Sequence, residues 1–495
     1  MKRQIVVVLV LVLGLAGPAS AQGVRYERLL IKNATIIDGT GNPARGPLDI
    51  VIQGDTIVSI RESMTREGGG SEMYGATPEG KPDRVIDATG MYVMPGIIDV
   101  HVHVQFSRAG LPMPKDYVYK LLLMHGITTI RDPGSTEGTD TMVAQAKLSA
   151  ENRISAPRIL PYATIGANTP AEARLLVRQA KAKGAKGIKV FINRPDVWAA
   201  IASEAHAVDL PIATDLKIQE TDALAASRYG VRSIEHWYGI PDAAIPGPQA
   251  FPDYYVYDNE LDRFRWAGDL WRQADSARLS AVLDTMLAHG VTWDPTFAIY
   301  EANRDIQRAR TQPWFADYAL PQVMLQFEPD ATRHGSYFFD WTTADEVRWR
   351  ENYRIWMKWV REYAARGGNV TVGSDAGFIY ELYGFTTIRE LEMQQEAGFQ
   401  PLEVIQHATS NGAKLLGLTN TGVVRAGFKA DLLIVDGNPL HNFKVLYATG
   451  IETTVDGKLV HRGGVKVTIK DGYVFDAPAI AAEVRDMVHK AKAAH

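Results

Sequence analysis

PGIIDVHVH, Pro95 to His103, is the stretch on which the fold of this chain turns. An apolar run enters, an aspartate follows, and two histidines stand two apart. In a β-strand residues i and i+2 point to the same face. His101 and His103 therefore share a face, with Asp99 one step behind them. Two imidazoles so placed can hold a metal ion or can simply line a polar cleft. The other strand ends have to discriminate between these.

Seven further strand-like cores follow: GITTIRD, PRILPYA, GIKVFI, LPIATD, RSIEHW, GVTWDPT and NVTVGSD. Helical patterns such as EARLLVRQAKAKG separate them. Eight alternating βα units over residues 91–418 predict a parallel sheet closed into a (β/α)8 TIM-type barrel. Both flanks have a different texture. LLIKNATIID, PLDIVIQGDTIVSI and RVIDATG on one side, and KADLLIVDG, ETTVDGKLVHRGG and VKVTIKDGYVF on the other, alternate β-branched residues between Gly, Asn and Asp breakers. A small composite β-sandwich domain built from residues 22–90 and 419–478 is expected, then a C-terminal helix over 479–495. The Gly-rich stretch EGGGSEMYGATPEGKPD reads as a loop within it.

Unit length varies. A barrel of this type allots roughly 31 residues to each βα unit, yet 59 separate His236 from Pro295 and 80 separate Pro295 from Asp375. Helical insertions are expected at about 238–285 and 298–360, both after strand C-termini, where barrel active sites lie. Nine of the ten tryptophans fall between Trp237 and Trp359. They predict an aromatic core private to the insertions, or a lid giving apolar walls to a pocket.

Composition narrows the class. The 495 residues are 46% apolar, enough for a large core, and the net charge of −4 carries no basic block, so no nucleic-acid partner is expected. The run AKAKGAKGIK reads as a solvated helix face. With no cysteine there is no disulfide framework, zinc–thiolate site or lipidated Cys. Residues 1–21 have the form of a signal peptide: Lys2 and Arg3, an apolar run too short to span a bilayer, and Ala19-Ser20-Ala21 for cleavage. A secreted or periplasmic protein without a membrane attachment after cleavage, open to homo-oligomerisation, is expected.

Three more groups end separate strands: Lys189 in GIKVF, His236 in SIEH and Asp375 in VGSDAG. Each alone is more often structural. A lysine pointing into a barrel is harder to dismiss, because an unpaired buried charge is costly.

Together PGIIDVHVH, GITTIRD, KGIKVF, SIEH, VGSDAG, ATSNGAKLLGL and GFKADLLIVDGNPL resemble the amidohydrolase superfamily, close to its prolidase-like and imidazolonepropionase-like branch. The resemblance covers nearly all of the mature chain and implies a one- or two-metal hydrolase. His101, His103 and Asp375 would hold a first divalent ion, most readily zinc. Lys189, carbamylated by CO2, would bridge to a second ion held by His236. Asp375 would also be the catalytic proton carrier, and Asp99 would support a ligand histidine. The family pattern has a fifth-strand histidine where this chain reads PIATDLKI, and the position falls on Asp215 or on Leu216 according to the direction of counting. His206, in the preceding helix, is no substitute.

The function expected is hydrolysis of an amide-type C–N bond in a small extracytoplasmic molecule: an N-acyl amino acid, a dipeptide or a cyclic amide. Two alternatives stand beside it. One is a deaminase of the same superfamily, a branch that generally lacks the fourth-strand lysine. The other is a non-catalytic small-molecule-binding relative with a degenerate second site. Tyr238 and Lys217, each two beyond a ligand candidate, are expected to touch substrate; Arg304 and Arg308 would suit a substrate carboxylate or an exposed helix.

Overall fold

The structure is a computed structural model and describes residues 23–63, 80–191, 194–216, 221–247, 250–256, 259–330, 340–378 and 380–494. Residues 1–21, on which the expected signal peptide falls, most of the Gly-rich stretch and Lys217 lie outside the described residues.

The eight expected cores form one parallel sheet in sequence order: β1 Ile97–Asp99, β2 Ile127–Asp132, β3 Arg158–Ile165, β4 Gly187–Val190, β5 Ile212–Thr214, β6 Ser233–Glu235, β7 Thr292–Asp294 and β8 Asn369–Val370. Closure joins the segments following β8 and β1. Val100 donates its N–H to Val372 O at 3.0 Å, and Val102 forms a parallel bridge with Ala376. The chain thus stays extended past Asp99, and His101 and His103 keep the alternation of a strand. A helix follows each strand; that over Pro170–Lys183 shows how local sequence sets the ends. Thr169 caps its first turn by accepting from Glu172 N, Pro170 opens it, and Gly184 ends it in the left-handed region. Lys181, Lys183 and Lys186 are exposed, whereas Lys189, in the same run, is buried in the barrel.

Both chain ends share a nine-stranded sheet. Its central contact pairs Leu432–Asp436 antiparallel to Met91–Pro95. Leu29, Ile31, Ile50, Ile52, Val93, Leu432, Ile434 and Ile469 form its core. Polar ties fasten it to the barrel: Thr468 Oγ1 donates to Leu123 O at 2.7 Å, and Arg158 on β3 pairs with Asp431 at 2.9 Å and with Asp471. The last helix, Ala477–Ala493, packs on the helix Tyr117–Met124.

The two long excursions are helical, with Glu260–Ala267, Leu270–Gln273 and Ser276–Ala288 before β7 and six helical segments from Phe297 to Ala365 after it. Trp237, Trp271, Trp293, Trp349 and Trp356 form one aromatic body, while Trp314 stacks apart from it on Phe385. Trp237 lies 6.1–6.2 Å from Trp271, Trp349 and Trp356, and Trp271 stacks on Trp293. Burying such rings stabilises the insertions by their area and by edge-to-face contacts.

Candidate active site

His101 and His103 leave the end of β1 on one face, as their spacing requires. Asp375 meets them from beyond β8: its backbone N–H donates to His101 O at 2.7 Å. Asp375 Oδ1 lies 3.1 Å from His103 Nε2 and 3.4 Å from His101 Nε2, and the two Nε2 atoms are 3.2 Å apart. His236 joins across the mouth, its Nε2 3.6 Å from Asp375 Oδ2. Both His236 and Asp375 have positive φ, 61° and 51°, a conformation rare for residues with a side chain. It turns the chain sharply at the strand end and brings each side chain over the barrel. Gly373 makes room for the convergence, since a Cβ there would sit 2.3 Å from Asp294 Oδ2 and 2.7 Å from His101 Cβ.

Hydrogen bonds on the far side of His103 and His236, and buried carboxylates on the far side of His101, set the tautomers. His103 Nδ1 faces Gly134 O at 3.1 Å. His236 Nδ1 faces Thr296 Oγ1 at 2.5 Å, and that hydroxyl spends its own proton on Pro295 O. His101 Nδ1 faces Asp294 at 3.4 Å and Glu235 at 3.7 Å. Each Nδ1 therefore carries the proton, and three Nε2 lone pairs point at one another and at a carboxylate. Without a cation such an arrangement is repulsive. Tetrahedral coordination with metal–ligand bonds of about 2.0–2.2 Å separates donors by roughly 3.4 Å, which matches the 3.1–3.4 Å triangle of His101, His103 and Asp375. The donor set fits a divalent ion.

Asp99 does support this cluster, but through backbone instead of a ring. It accepts from His101 N at 3.1 Å, Ser374 N at 3.0 Å and Thr387 Oγ1 at 2.7 Å, tying together the two segments that carry the ligand candidates. Burial raises its carboxyl to about 6, against those hydrogen bonds.

At the fifth strand the register is decided. Asp215 N continues the ladder to Val190 O, and Asp215 Oδ2 lies 3.9 Å from His236 Nε2. Leu216 instead packs against Gly239. Of the two counts, the one from Pro211 brings its residue to the site. His206 is elsewhere, contacting Tyr229 O from the helix Pro195–Ala207.

Lys189 is buried at the end of β4, with its Nζ against Glu235 on the Nδ1 side of His101. Glu235 also takes Arg131 at 2.6 Å, and Arg131 lies 3.7 Å from Asp294. Two cations and two carboxylates from β2, β4, β6 and β7 thus form a closed buried network under the imidazoles. Burial works against ionising Glu235, but Arg131 and Lys189 overcome it and hold the carboxyl down at about 2. Burial pushes His101 well below its ordinary value, with the Lys189 charge adding to it.

Tyr238 is brought to the site, its ring 6.2 Å from that of His236. Tyr300, from the excursion after β7, stands 5.6 Å from His236 and 5.6 Å from Trp349, so the aromatic body of the insertions also walls the site. Arg304 and Arg308 are not at the site: Arg304 holds Glu396 at 2.7 and 2.8 Å, and Arg308 lies 3.3 Å from Glu301. Arg304 thus ties the insertion to the helix Phe385–Glu396, and Arg308 serves an ion pair within it.

Arg131, Glu235, Asp294, Thr296 and Tyr300 were not singled out from sequence. For the first three a signal exists, since each is a charge inside an otherwise apolar strand core. Thr296 and Tyr300 carry no such mark.

A barrel with imidazoles and a carboxylate converging at its C-terminal mouth is the architecture of a metal-dependent hydrolase. A sequence model of the Amidohydrolase family matches residues 92–472, and the chain belongs to that family; its hydrolase and deaminase homologues act on carbon–nitrogen bonds. A 5'-deoxyadenosine deaminase of Methanosarcina acetivorans is 23% identical over 94% of this chain and 99% of its own length. Adenine deaminase 2 of Latilactobacillus sakei is 30% identical over 31% of this chain, a match spanning 28% of that relative. Among solved structures, a Xaa-Pro dipeptidase with bound methionine superposes with a TM-score of 0.62 at 20% identity, over 91% of this chain and all of the other. Bottromycin amidohydrolase superposes with a TM-score of 0.64 at 19% identity, over 95% and 92%.

Proposed function

We propose that this protein is an extracytoplasmic metal-dependent amidohydrolase that cleaves the amide C–N bond of an N-acyl amino acid, dipeptide or cyclic amide. The observation carrying this reading is the set of three Nε2 lone pairs turned toward Asp375, with buried Lys189 one contact away through Glu235. A divalent ion there, zinc by the nitrogen-rich donor set, supplies an activated water and polarisation of the substrate carbonyl.

His101, His103 and Asp375 would hold the first ion, and His236 with Asp215 a second, with carbamylated Lys189 as the anion between them. Asp375 has one oxygen toward His101 and His103 and the other toward His236. It is placed to take a proton from the attacking water and deliver it to the departing amine. Burial opposes its ionisation, but the contact with His103 holds the carboxyl below the usual range, ready as a base. Tyr238 and Tyr300 exclude water on the His236 side and offer phenol groups to the substrate. Lys217, just beyond Asp215, is proposed as a further substrate contact.

The deaminase relatives favour a second reading, in which the same site removes ammonia from an amino-substituted ring. One experiment separates them. Metal-loaded protein is offered N-acyl amino acids, dipeptides, cyclic amides and aminopurine nucleosides in oxygen-18 water. Release of an amine with one labelled oxygen in the new carboxylate supports amide hydrolysis. Ammonia release with a labelled ring carbonyl would assign the deaminase, and no turnover on any class would leave a binding protein. Residues 1–21 are proposed to be removed on export, and N-terminal sequencing of the secreted chain would place Gln22 first.

A further inference from the structure

Three arginines are buried among the described residues: Arg108, Arg131 and Arg389. Arg131 holds Glu235 and Arg389 holds Glu301 at 2.6 Å. Among the described residues Arg108 has no carboxylate within ion-pair reach. Its guanidinium donates to Gln105 Oε1 and, at 3.1 Å, to Tyr383 Oη, and it rests over the Phe378 ring at 5.5 Å. Those two partners are neutral and engage only part of a five-donor fork. A buried charge without an opposite charge is unfavourable by several kcal/mol, so the fold holds this guanidinium as a receptor for an anion it does not itself contain.

Its place says which anion. Tyr383 Oη, which accepts from Arg108, donates to His103 O at 2.7 Å. The Phe378 ring touched by Arg108 also meets the His103 ring, with centroids 5.3 Å apart. Gly377, two residues past Asp375, leaves room for the guanidinium; a Cβ there would lie 2.4 Å from Arg108 Nη2 and 3.3 Å from His103 O. Arg108 is therefore wedged between the segments bearing His103 and Asp375, two hydrogen bonds from the His103 backbone. In an N-acyl amino acid or dipeptide the α-carboxylate is three bonds from the scissile carbonyl carbon, roughly 4 Å. An amide carbonyl seated at His101, His103 and Asp375 would leave that carboxylate a few ångströms off, and Arg108 is the buried guanidinium beside the segments bearing those residues.

We infer that Arg108 is the anchor for the α-carboxylate of the substrate, so that the protein acts on amides whose amine half is an amino acid with a free carboxylate. The inference rests on the amide-hydrolase reading above and selects among its substrates: cyclic amides without an anion are disfavoured. Guanidinium and carboxylate match in a planar, two-point fashion that lysine does not reproduce.

The test uses matched pairs, N-acetyl amino acids and their C-terminal carboxamides, with binding measured by calorimetry and turnover by amine release. Wild type should prefer the free carboxylate at least tenfold in both affinity and kcat/KM, mostly through KM. Arg108→Gln should weaken the carboxylate member to the level of its carboxamide and leave the carboxamide unchanged; Arg108→Lys should recover part of the preference. Equal treatment of both members by wild type overturns the anchor without needing any variant. So does a loss in Arg108→Gln that falls on both members alike, the signature of a residue that merely positions His103. Carboxylate-selective binding without amide turnover would uphold the anchor and overturn the hydrolase reading. Amide turnover without carboxylate preference would do the reverse.

Discussion

His101 and Asp375 meet twice: Asp375 N–H donates to His101 O at 2.7 Å, and Asp375 Oδ1 stands 3.4 Å from His101 Nε2. The first contact closes the barrel and the second assembles the site. One geometric event therefore does both, and Asp99 reinforces it by accepting from both His101 N and Ser374 N. Because the backbone contact does not depend on the Asp375 carboxylate, the chemistry at this position is separable from the fold. Asp375→Asn should lower kcat at least about a hundredfold, the low end of general acid–base contributions, with little change in Tm. Near-normal turnover would assign the proton to another residue.

Lys189 meets Glu235 as an ammonium. Carbamylation reverses its charge, so a carbamate beside Glu235 would place two anions together unless cations intervene. Uptake of 13C-labelled bicarbonate on Lys189, followed by NMR, should therefore require bound metal and vanish on chelation. Lys189→Ala should lose metal and activity, with partial rescue by short carboxylic acids. A metal-replete, fully active Lys189→Ala protein would rule out the carbamate.

Asp215 puts a carboxylate where the family pattern has an imidazole, 3.9 Å from His236 Nε2. An oxygen donor makes the second position harder and more anionic, shifting it from zinc toward manganese or magnesium. On mild chelation the second ion should leave first, and Asp215→His should tighten it. Two equally tight ions in wild type, unaffected by Asp215→Ala, would remove Asp215 from the ligand set.

Arg131 is wholly buried and is shared by Glu235 and Asp294. Arg131→Met would leave two buried carboxylates with only Lys189 opposite them, and removing one partner of such a network costs about 3–5 kcal/mol. Urea unfolding should register that loss at neutral pH. A change below about 1 kcal/mol would mean that water reaches the network.

Two histidines outside the catalytic cluster predict acid lability. Burial pushes both His125, which contacts Leu121 O at 2.7 Å, and His407, at 2.8 Å from Gln394, down to about 4. In the unfolded chain each titrates near 6.5, so between about 6.5 and 4 the unfolded state binds more protons. Their contribution is fully present above pH 6.5 and is lost as pH falls toward 4, by about 3 kcal/mol each. Denaturant unfolding of wild type and of His125→Gln and His407→Gln across this range should show a shallower acid loss in each variant. Parallel slopes in all three would show that these imidazoles do not control it.

Sequence alone determined the order of the eight barrel strands, the shared terminal sheet and the positions of His101, His103, Lys189, His236 and Asp375, because strand alternation and strand-end position are local properties of the chain. Three matters needed the tertiary structure. The choice between Asp215 and Leu216 turned on a one-residue register, which reverses the face and is set by the pairing of β4 with the fifth-strand segment. The network of Arg131, Lys189, Glu235 and Asp294 joins residues 46 to 163 positions apart, so each charge looked unpaired in sequence. Arg108 and Arg304 are the plainest contrast: only the fold decides that Arg304 finds Glu396 while Arg108 is buried beside His103 with no carboxylate partner among the described residues. Charge compensation is a long-range property, settled by what the closed barrel brings within about 4 Å and not by what neighbours a residue in the chain.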